Sequence, residues 1–551
     1  MVSTIESDKN SLEIIKECIN AKKSFVLEAG AGSGKTWTLV ETVKYVIKLS
    51  EKELVKNHQK IVCITYTNVA KNEIIERTYH SDIIQVSTIH EFLWESIKNY
   101  QIELKKALCE LNQASISDLE KQIAFTKIEY RNYRDIKAGI ISHDDVIKIA
   151  NILFHKYNKL KKIVCDKHPY IFIDEYQDTQ KEIINILINS LLTYRIKKHD
   201  FMLGFYGDTM QKIYNTGIGN LEPFIPEEIE LIKINKIENY RCSKAVINLL
   251  NKIRVDLIQL PTGNNNEGEV KLLYVPSGKE GVDVSTEKII AKLDWGKNEK
   301  ETNKILFLTH KKIAQTANFI NLYNVFSKRY KGFINDKLNG KEDKIIEFMI
   351  DSIEEMVALY EKCLFEDFWK LCTYPVKSRK DKTDLNNIMK KLIEMRKNNK
   401  IYDVINFVNT KGLLRKPEKI SYYENNLDVI EQKEVEFYSA LMELEYKEVM
   451  GFNQYLKEES LFSTKHGVKG AEFDNVLVVI DDTAWNQYSF KDIFCNNIQS
   501  TKYKRTLNLL YVCCSRSKNN LALLLLSSIG EDGIANAKEW FGKNNVIEYS
   551  I

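Results

Sequence analysis

The sequence lacks the features of secreted, zinc-binding and membrane-spanning proteins. Its ten cysteines include no CxxC pair, and Cys513 and Cys514 are adjacent, which suits neither a disulfide framework nor a zinc site. The longest apolar runs, such as "LALLLL" at 521–526, are far too short to cross a bilayer. The polar start "MVSTIESDKN" is not that of a signal peptide. These absences predict a cytoplasmic protein with reduced thiols and no membrane segment.

Arginine and net charge are also in short supply. Lysine supplies most of the 80 basic residues, and the formal net charge is only +4. A nucleic acid would therefore need a local basic groove rather than a general positive field. Because arginine is rare, an arginine that falls inside a motif carries more weight than usual.

The chain does have the length and apolar content for several domains. Its 551 residues, 44% of them hydrophobic, correspond to roughly two to four domains. Strand-like runs followed by helical patterns occur at 24–48, 60–78, 170–190, 201–207 and 304–320, and further strand-like runs at 475–480 and 520–527. This alternation predicts an α/β protein with two parallel-sheet cores, each interrupted by a helical insertion.

The helix-rich, charged stretches and a polar link suggest where these parts begin and end. "LPTGNNNEGEV" at 260–270 is the best candidate for the link between the cores. The predicted boundaries are 1–94 and 161–258 for the first core (1A), 95–160 for its insertion (1B), 259–325 and 456–551 for the second core (2A), and 326–455 for its insertion (2B).

The clearest motif is "FVLEAGAGSGKTWTLVETV" at 25–43. An apolar strand leads into glycines and then into a helix, and such glycines let backbone N–H groups turn towards phosphate oxygens at the helix N-terminus. Lys35 would reach the β- and γ-phosphates, and the Thr36 hydroxyl would bind Mg²⁺. By itself the loop predicts only that a nucleoside triphosphate binds.

A second motif, "YIFIDEYQDTQ" at 170–180, ends a buried strand in two carboxylates. Such a pair would repel unless it served a metal. Asp174 is predicted to hold Mg²⁺ and Glu175 to act as the general base that activates water. A further strand leads into "GDTMQKIY" at 207–214, where Gln211 could orient water or sense the γ-phosphate.

These pieces belong to an ordered set. "AGAGSGKT", "TYTNVAKNEI" (65–74), "STIHEFL" (87–93), "FIDEYQD" (172–178), "GDTMQKIY", "NYR" (239–241), "STKHGVKGAEF" (463–473) and "LLYVCCSRSK" (509–518) occur in one chain order. The set resembles the UvrD/Rep-like branch of superfamily 1 DNA helicases, from about residue 24 to 527. The resemblance implies that both cores are RecA-like and that ATP with Mg²⁺ is the nucleotide.

The resemblance also implies roles for individual residues around ATP. By this resemblance, Arg241 would contact the γ-phosphate and Tyr240 would stack on adenine. Arg516 would be the arginine finger from the second core, and Glu472 would be a carboxylate that contacts the nucleotide. For Arg516 the alternative is a surface salt bridge. The nucleotide-binding set is then Gly30, Ala31, Gly32, Ser33, Gly34, Lys35, Thr36, Tyr240 and Glu472, and the catalytic set is Lys35, Glu175, Gln211, Arg241 and Arg516.

Strand-contact residues follow from the same resemblance, because single-stranded DNA needs aromatic faces and polar phosphate contacts. They are Tyr66, Asn68, Thr88, His90, Tyr214 and His466. For Tyr66 a core aromatic is the competing explanation. The sequence departs from the family in having no glutamine before Gln59 to select adenine, and "NTGIGN" (215–220) replaces the usual aromatic continuation after Tyr214.

The function predicted from this resemblance is an ATP-dependent translocase or helicase, 3′→5′ on single-stranded or partly duplex DNA. A compact chain of this kind resembles the helicase subunits of Gabija-type anti-phage systems, which implies an OLD-like nuclease as partner. Two alternatives remain open: a DNA-stimulated ATPase that senses strands or ends without unwinding, and a scaffold whose assembly ATP regulates.

Overall fold

The computed structural model covers residues 1–551. It describes residues 2–4, 10–65, 68–78, 81–111, 127–131, 134, 136, 138–195, 198, 200–212, 217–275, 289, 292–295, 302–307, 310–330, 334, 337, 338, 341, 343–457, 462, 463, 471–482 and 488–549. Within this part of the chain, no helix is long and apolar enough to cross a lipid bilayer.

The chain forms two compact units. The first comprises Met1–Val270, Tyr488–Asn520 and Glu531–Lys543, and the second Lys271–Gln487, Leu521–Gly530 and Asn544–Ile551. The first unit therefore ends at the close of the polar stretch 260–270. It also takes in Tyr488–Asn520, which the sequence boundaries assign to the second core, because the helix Tyr503–Cys514 packs against the turn Thr209–Gln211 and the helix Lys244–Ile253. The four predicted domain boundaries stay a prediction.

Seventeen strands lie in the described part of the chain. In chain order they are β1 Val2–Thr4, β2 Phe25–Ala29, β3 Ile61–Thr65, β4 Ile84–Thr88, β5 Glu129–Tyr130, β6 Ile140–Ile141, β7 Tyr170–Asp174, β8 Met202–Gly207, β9 Leu231–Lys236, β10 Glu238–Asn239, β11 Leu260–Pro261, β12 Glu269–Tyr274, β13 Asn303–Phe307, β14 Phe462–Ser463, β15 Phe473–Ile480, β16 Ser517–Leu525 and β17 Val546–Glu548.

The helices of the first unit include Ser11–Asn20, Lys35–Lys56, Asn68–Arg77, Ile89–Ile97, Gln101–Leu111, His143–Lys156, Asn158–Lys167, Lys181–Ile184 with its π-helical continuation Asn185–Leu192, Thr193–Arg195, Lys244–Ile253, Phe490–Phe494, Tyr503–Cys514 and Gly530–Phe541. Those of the second unit include His310–Thr316, Ile320–Arg329, Lys344–Glu347, the π-helix Phe348–Glu354, Glu355–Glu361, Phe365–Leu371, Arg379–Asn398, Ile401–Thr410, Glu418–Asn426, Gln432–Met442 and Lys447–Leu456. Helices thus dominate the stretch in which the sequence predicts the second insertion.

The first sheet has seven strands in the order β1-β9-β2-β8-β7-β3-β4, and their registered pairs are parallel. Its inner strand β2, between β9 and β8, is buried on both faces. Phe25 and Leu27 pack with Leu39 of the helix Lys35–Lys56, whereas Val26 packs with Leu153 on the other face. Burial on both faces explains why these strands are continuous apolar runs.

The strand order determines which loops lie side by side at the carboxyl ends of the strands. β8 lies between β2 and β7, with Glu28 opposite Gly207 and Asp174 opposite Tyr206. Because the strands are parallel, the chain leaves all three at the same edge. The glycine loop, the two carboxylates and the turn with Gln211 therefore emerge side by side.

The second sheet has six strands in the order β14-β13-β15-β16-β12-β17. Its registered pairs are parallel as well. One apolar cluster joins strand residues such as Leu477 to helix residues such as Ile353 and Phe452. The two parallel sheets confirm the predicted α/β fold with two RecA-like cores.

Candidate functional site

The glycine loop lies between β2 and the helix Lys35–Lys56. Gly32 and Gly34 have φ of 73° and 76°, the left-handed region that glycine adopts at little cost. A Cβ on Gly30 would lie 2.3 Å from the Gln259 side-chain nitrogen. The loop therefore needs its glycines both for its turn and for its close neighbours, and it delivers the chain to a helix N-terminus that favours anions.

The Ala31 peptide is held by three side chains from distant parts of the first unit. Its N–H donates to the Tyr511 hydroxyl at 3.0 Å, and its carbonyl accepts from Asn239 Nδ2 at 2.9 Å and Gln259 Nε2 at 2.8 Å. Sequence reasoning missed Gln259 and Tyr511 in this role. Tyr511 falls within a quoted motif, whereas Gln259 carries no motif signal.

The loop also contains an unsatisfied hydroxyl. Ser33 is 1% exposed, and among the residues that the structure describes its Oγ has no hydrogen-bond partner, which fits a phosphate oxygen. Thr36 and the buried Asp174 offer a hydroxyl and a carboxylate, the oxygen ligands that Mg²⁺ prefers. These residues fit a Mg²⁺–nucleotide complex.

Glu175 follows β7 in a strained conformation. Its φ is 54°, which is uncommon outside glycine and recurs at functional positions. Its carboxylate forms an ion pair with Lys35 at 2.6 Å. Burial alone would lower the pKa of Lys35, but the neighbouring Glu175 and Asp174 outweigh it and raise that pKa. Lys35 is therefore a firmly protonated cation.

Gln177 connects the residues that follow β7 and β8. It is fully buried, donates from Nε2 to Glu175 at 2.5 Å and accepts from the Asp208 backbone N–H at 3.1 Å. A Cβ on Gly207 would lie 2.5 Å from Gln177, so glycine is needed there. Gln177 lies within "DEYQD", yet sequence reasoning gave it no role.

Gln211 and Arg516 are in direct contact within the first unit. Arg516 Nη2 donates to Gln211 Oε1 at 3.2 Å, and Arg516 Nε donates to the Val512 carbonyl at 3.0 Å. Arg516 is 1% exposed. Burial, together with the positive charge of Arg241, lowers the pKa of Arg516 to about 10. Two arginines held this close favour an anion between them.

The remaining residues predicted to contact the nucleotide differ in their surroundings. Arg241 Nη1 donates to the Ser515 carbonyl at 3.4 Å. The Tyr240 backbone N–H donates to the Gly32 carbonyl at 3.0 Å. The residue is 54% exposed, and Lys236 Nζ lies 5.8 Å from the centre of its ring. Glu472 lies in the second unit, exposed and directly before β15, and its assignment stays a prediction.

Of the six strand-contact residues, Thr88 and His90 have described side chains. Thr88 caps the helix Ile89–Ile97: its hydroxyl accepts from the Glu91 N–H at 3.3 Å, and Glu91 accepts from the Thr88 N–H at 2.8 Å. The His90 ring lies 4.8 Å from that of His143, and burial followed by the His143 charge lowers its pKa to about 4. His90 is therefore neutral at pH 7.

The other strand-contact residues lie outside the described side chains. These are Tyr66, Tyr214 and His466, and Asn68, for which only the backbone at the start of Asn68–Arg77 is described. All six assignments stay predictions.

A cavity of about 640 Å³ lies beside the turn Thr209–Gln211 and is lined in part by Lys212, Lys504 and Arg505. We call these three residues the basic rim. Burial lowers the pKa of Lys212, and the charges of Lys504 and Arg505 lower it further, although Asp178 opposes them. Such crowding of cations is relieved when an anion binds.

Comparisons with known proteins agree with this geometry. A family model described as an AAA domain matches residues 12–217. The Gabija protein GajB of Bacillus cereus (strain HuB5-5) is 27% identical, over 98% of this chain and 98% of its own length. The ATP-dependent DNA helicase Rep of Buchnera aphidicola subsp. Acyrthosiphon pisum is 28% identical over 45% of this chain and 44% of its own length.

A further relative, the ATP-dependent DNA helicase PcrA of Staphylococcus aureus (strain Mu50), is 24% identical over 45% of this chain and 39% of its own length. The chain is thus similar over almost its whole length to a Gabija protein, and over 45% of its length to the ATP-dependent DNA helicases Rep and PcrA.

Proposed function

We propose that this protein is an ATP-driven translocase that moves 3′→5′ on single-stranded DNA, unwinds partly duplex DNA and works with an OLD-like nuclease in anti-phage defence. The observation that carries the enzymatic part is a continuous set of contacts around the glycine loop. Lys35 pairs with Glu175, Gln177 joins Glu175 to Asp208, and Gln211 contacts Arg516.

Lys35 and Glu175 exchange partners when a nucleotide binds. Phosphate oxygens compete for Lys35, so the 2.6 Å ion pair opens and leaves Glu175 with its Gln177 hydrogen bond. The freed carboxylate then accepts a proton from the attacking water. Thr36 and Asp174 would hold Mg²⁺, which neutralises phosphate charge when bound.

Gln211 and the two arginines act on the γ-phosphate. The guanidinium groups of Arg241 and Arg516 stabilise the charge that spreads over the γ-phosphate oxygens in the transition state. Gln211, held by Arg516 on one side and Asp208 on the other, orients the water. In this proposal the exposed Tyr240 ring stacks on the base.

Support for a role in defence comes from the extent of the similarity. GajB matches over 98% of both chains, whereas Rep and PcrA match less than half of this one. We therefore base the nuclease partner and the role in defence on the similarity to the Gabija protein, and the movement on DNA on the similarity to the two DNA helicases.

Strand displacement tests this proposal. We expect the protein to release the labelled strand of a duplex with a 3′ single-stranded tail when ATP and Mg²⁺ are present, and not that of a 5′-tailed duplex. Lys35→Ala is the control and should release neither, because the cation that binds the phosphates is gone. Release from the 5′-tailed duplex alone would contradict the polarity. DNA-stimulated hydrolysis without any release, with and without the nuclease, would favour the strand-sensing ATPase.

The basic rim supports a prediction on DNA affinity. Lys504→Ala and Arg505→Ala should weaken binding of labelled oligo(dT), and each should reduce the slope of log affinity against log salt by about one. Fluorescence anisotropy at several salt concentrations measures both. Lys52→Ala, an exposed lysine near the far end of the helix Lys35–Lys56, is the matched control. An unchanged slope in both rim variants would exclude the cavity from the strand path.

A further inference from the structure

Arg254 is a buried arginine in none of the motifs. It follows the helix Lys244–Ile253 and is 1% exposed. Its three donor groups point to three carboxylates: Nη2 to Glu28 at 2.7 Å, Nη1 to Asp208 at 2.8 Å and Nε to Asp256 at 3.0 Å. Only the fork of an arginine spans three acceptors in this way.

Two of these carboxylates lie at the carboxyl ends of β2 and β8, beside the candidate nucleotide site. Glu28 lies in β2 just before the glycine loop, opposite Gly207 at the end of β8, and Asp208 follows directly. Glu28 is 4% exposed and Asp208 0%. Burial raises the pKa of Asp208 although the Arg254 charge opposes the shift. Without a cation between them, the two carboxylates would repel at low dielectric.

The Asp208 carboxylate links Arg254 to Gln211 by hydrogen bonds. One Asp208 oxygen, Oδ1, accepts from Arg254 and from the Met210 N–H at 3.0 Å. The other, Oδ2, accepts from Gln211 Nε2 at 2.8 Å. Arg254 thus fixes the orientation of a carboxylate that in turn holds the Gln211 amide, which leaves Gln211 Oε1 to accept from Arg516.

We propose that Arg254 is a positioning residue for hydrolysis: through Asp208 it sets the orientation of Gln211 at the γ-phosphate. The inference rests on the proposed role of Gln211. In this proposal Glu28 helps to hold the Arg254 guanidinium in place. Glu28 itself accepts from the Thr209 N–H at 2.9 Å and from the Tyr176 hydroxyl at 2.6 Å.

The test uses the full-length protein and the conservative variant Arg254→Lys, which keeps a buried cation but loses the fork. Because Gln211 is misplaced while the phosphate contacts remain, we expect kcat for ATP to fall about tenfold to hundredfold. The affinity for a fluorescent ATP analogue should stay at the wild-type value. Arg195→Lys is the matched control, because Arg195 is also a buried arginine in this unit, 3% exposed and paired with Asp200 at 2.9 Å. It should alter only the melting temperature.

A double-mutant cycle separates positioning from general destabilisation. In a Gln211→Ala background, Arg254→Lys should cause no further loss of kcat, because the group it orients is absent. If both single losses multiply, or if Arg254→Lys matches wild type in kcat, the inference is overturned. Arg254→Met combined with Glu28→Gln removes the guanidinium and one of the two buried carboxylates, and its kcat should remain as low as that of Arg254→Lys.

The same data distinguish this inference from the proposed function. Absence of hydrolysis in the wild type would overturn the proposed function. Wild-type hydrolysis that Gln211→Ala reduces but Arg254→Lys does not would overturn only the role of Arg254.

Discussion

Glu175→Gln is expected to bind ATP at least as tightly as the wild type and to hydrolyse it about 10²–10⁴-fold more slowly. The amide cannot accept the proton of the attacking water, so turnover falls. Binding does not suffer, because the Lys35–Glu175 ion pair at 2.6 Å no longer competes with the phosphates. Single-turnover hydrolysis and equilibrium binding of a fluorescent ATP analogue measure the two effects separately.

The control for this variant is Glu41→Gln. Glu41 lies six residues after Lys35 on the same helix, Lys35–Lys56, and pairs with Lys44 at 3.0 Å. It should match the wild type in both measurements. Normal hydrolysis by Glu175→Gln would show that another group accepts the proton.

Arg516→Ala is expected to lose most DNA-stimulated hydrolysis, about 10³–10⁵-fold. The guanidinium donates to Gln211 Oε1, and its charge is poorly accommodated without an anion, since burial and Arg241 lower its pKa to about 10. A γ-phosphate supplies that anion. Arg516→Lys should recover little, because one ammonium group cannot contact Gln211 and two phosphate oxygens together.

Thermal melting without nucleotide is the companion measurement for Arg516. Loss of the guanidinium removes the donor to the buried Gln211 Oε1, at about 1–3 kcal/mol, whereas the Val512 carbonyl still accepts from the Ser515 hydroxyl at 2.9 Å. Relief of the repulsion from Arg241 offsets part of this cost. We therefore expect a lower but cooperative melt. A variant that hydrolyses ATP normally would assign Arg516 to packing, and so would one that fails to fold while Arg516→Lys is fully active.

Part of the site could be predicted because the residues that form it are neighbours in the sequence. A strand, a glycine-rich loop and a helix form one local unit, so Gly32, Gly34 and Lys35 could be assigned from spacing. Asp174 and Glu175 could be assigned because two charges at the end of an apolar strand need a partner. The alternation of strands and helices was likewise sufficient for the two parallel sheets.

Other features depend on which strands are neighbours. Arg254 contacts Glu28 across 226 residues of sequence and Tyr511 contacts Ala31 across 480. Neither contact leaves a periodic or compositional trace, because a single buried side chain is chosen by its surroundings in three dimensions. The grouping of Tyr488–Asn520 with the first unit has the same origin.

The sequence alone determined the order of the motifs, and it predicted the local chemistry from residues adjacent in the chain: a phosphate-binding loop, a carboxylate for the metal and a candidate base. Only the tertiary structure decided how those groups are held. The order β2-β8-β7 brings three strand ends together, and buried side chains such as Gln177, Gln259 and Arg254 then join them. Buried polar groups must find partners wherever the fold supplies them, and the partners here come from remote segments.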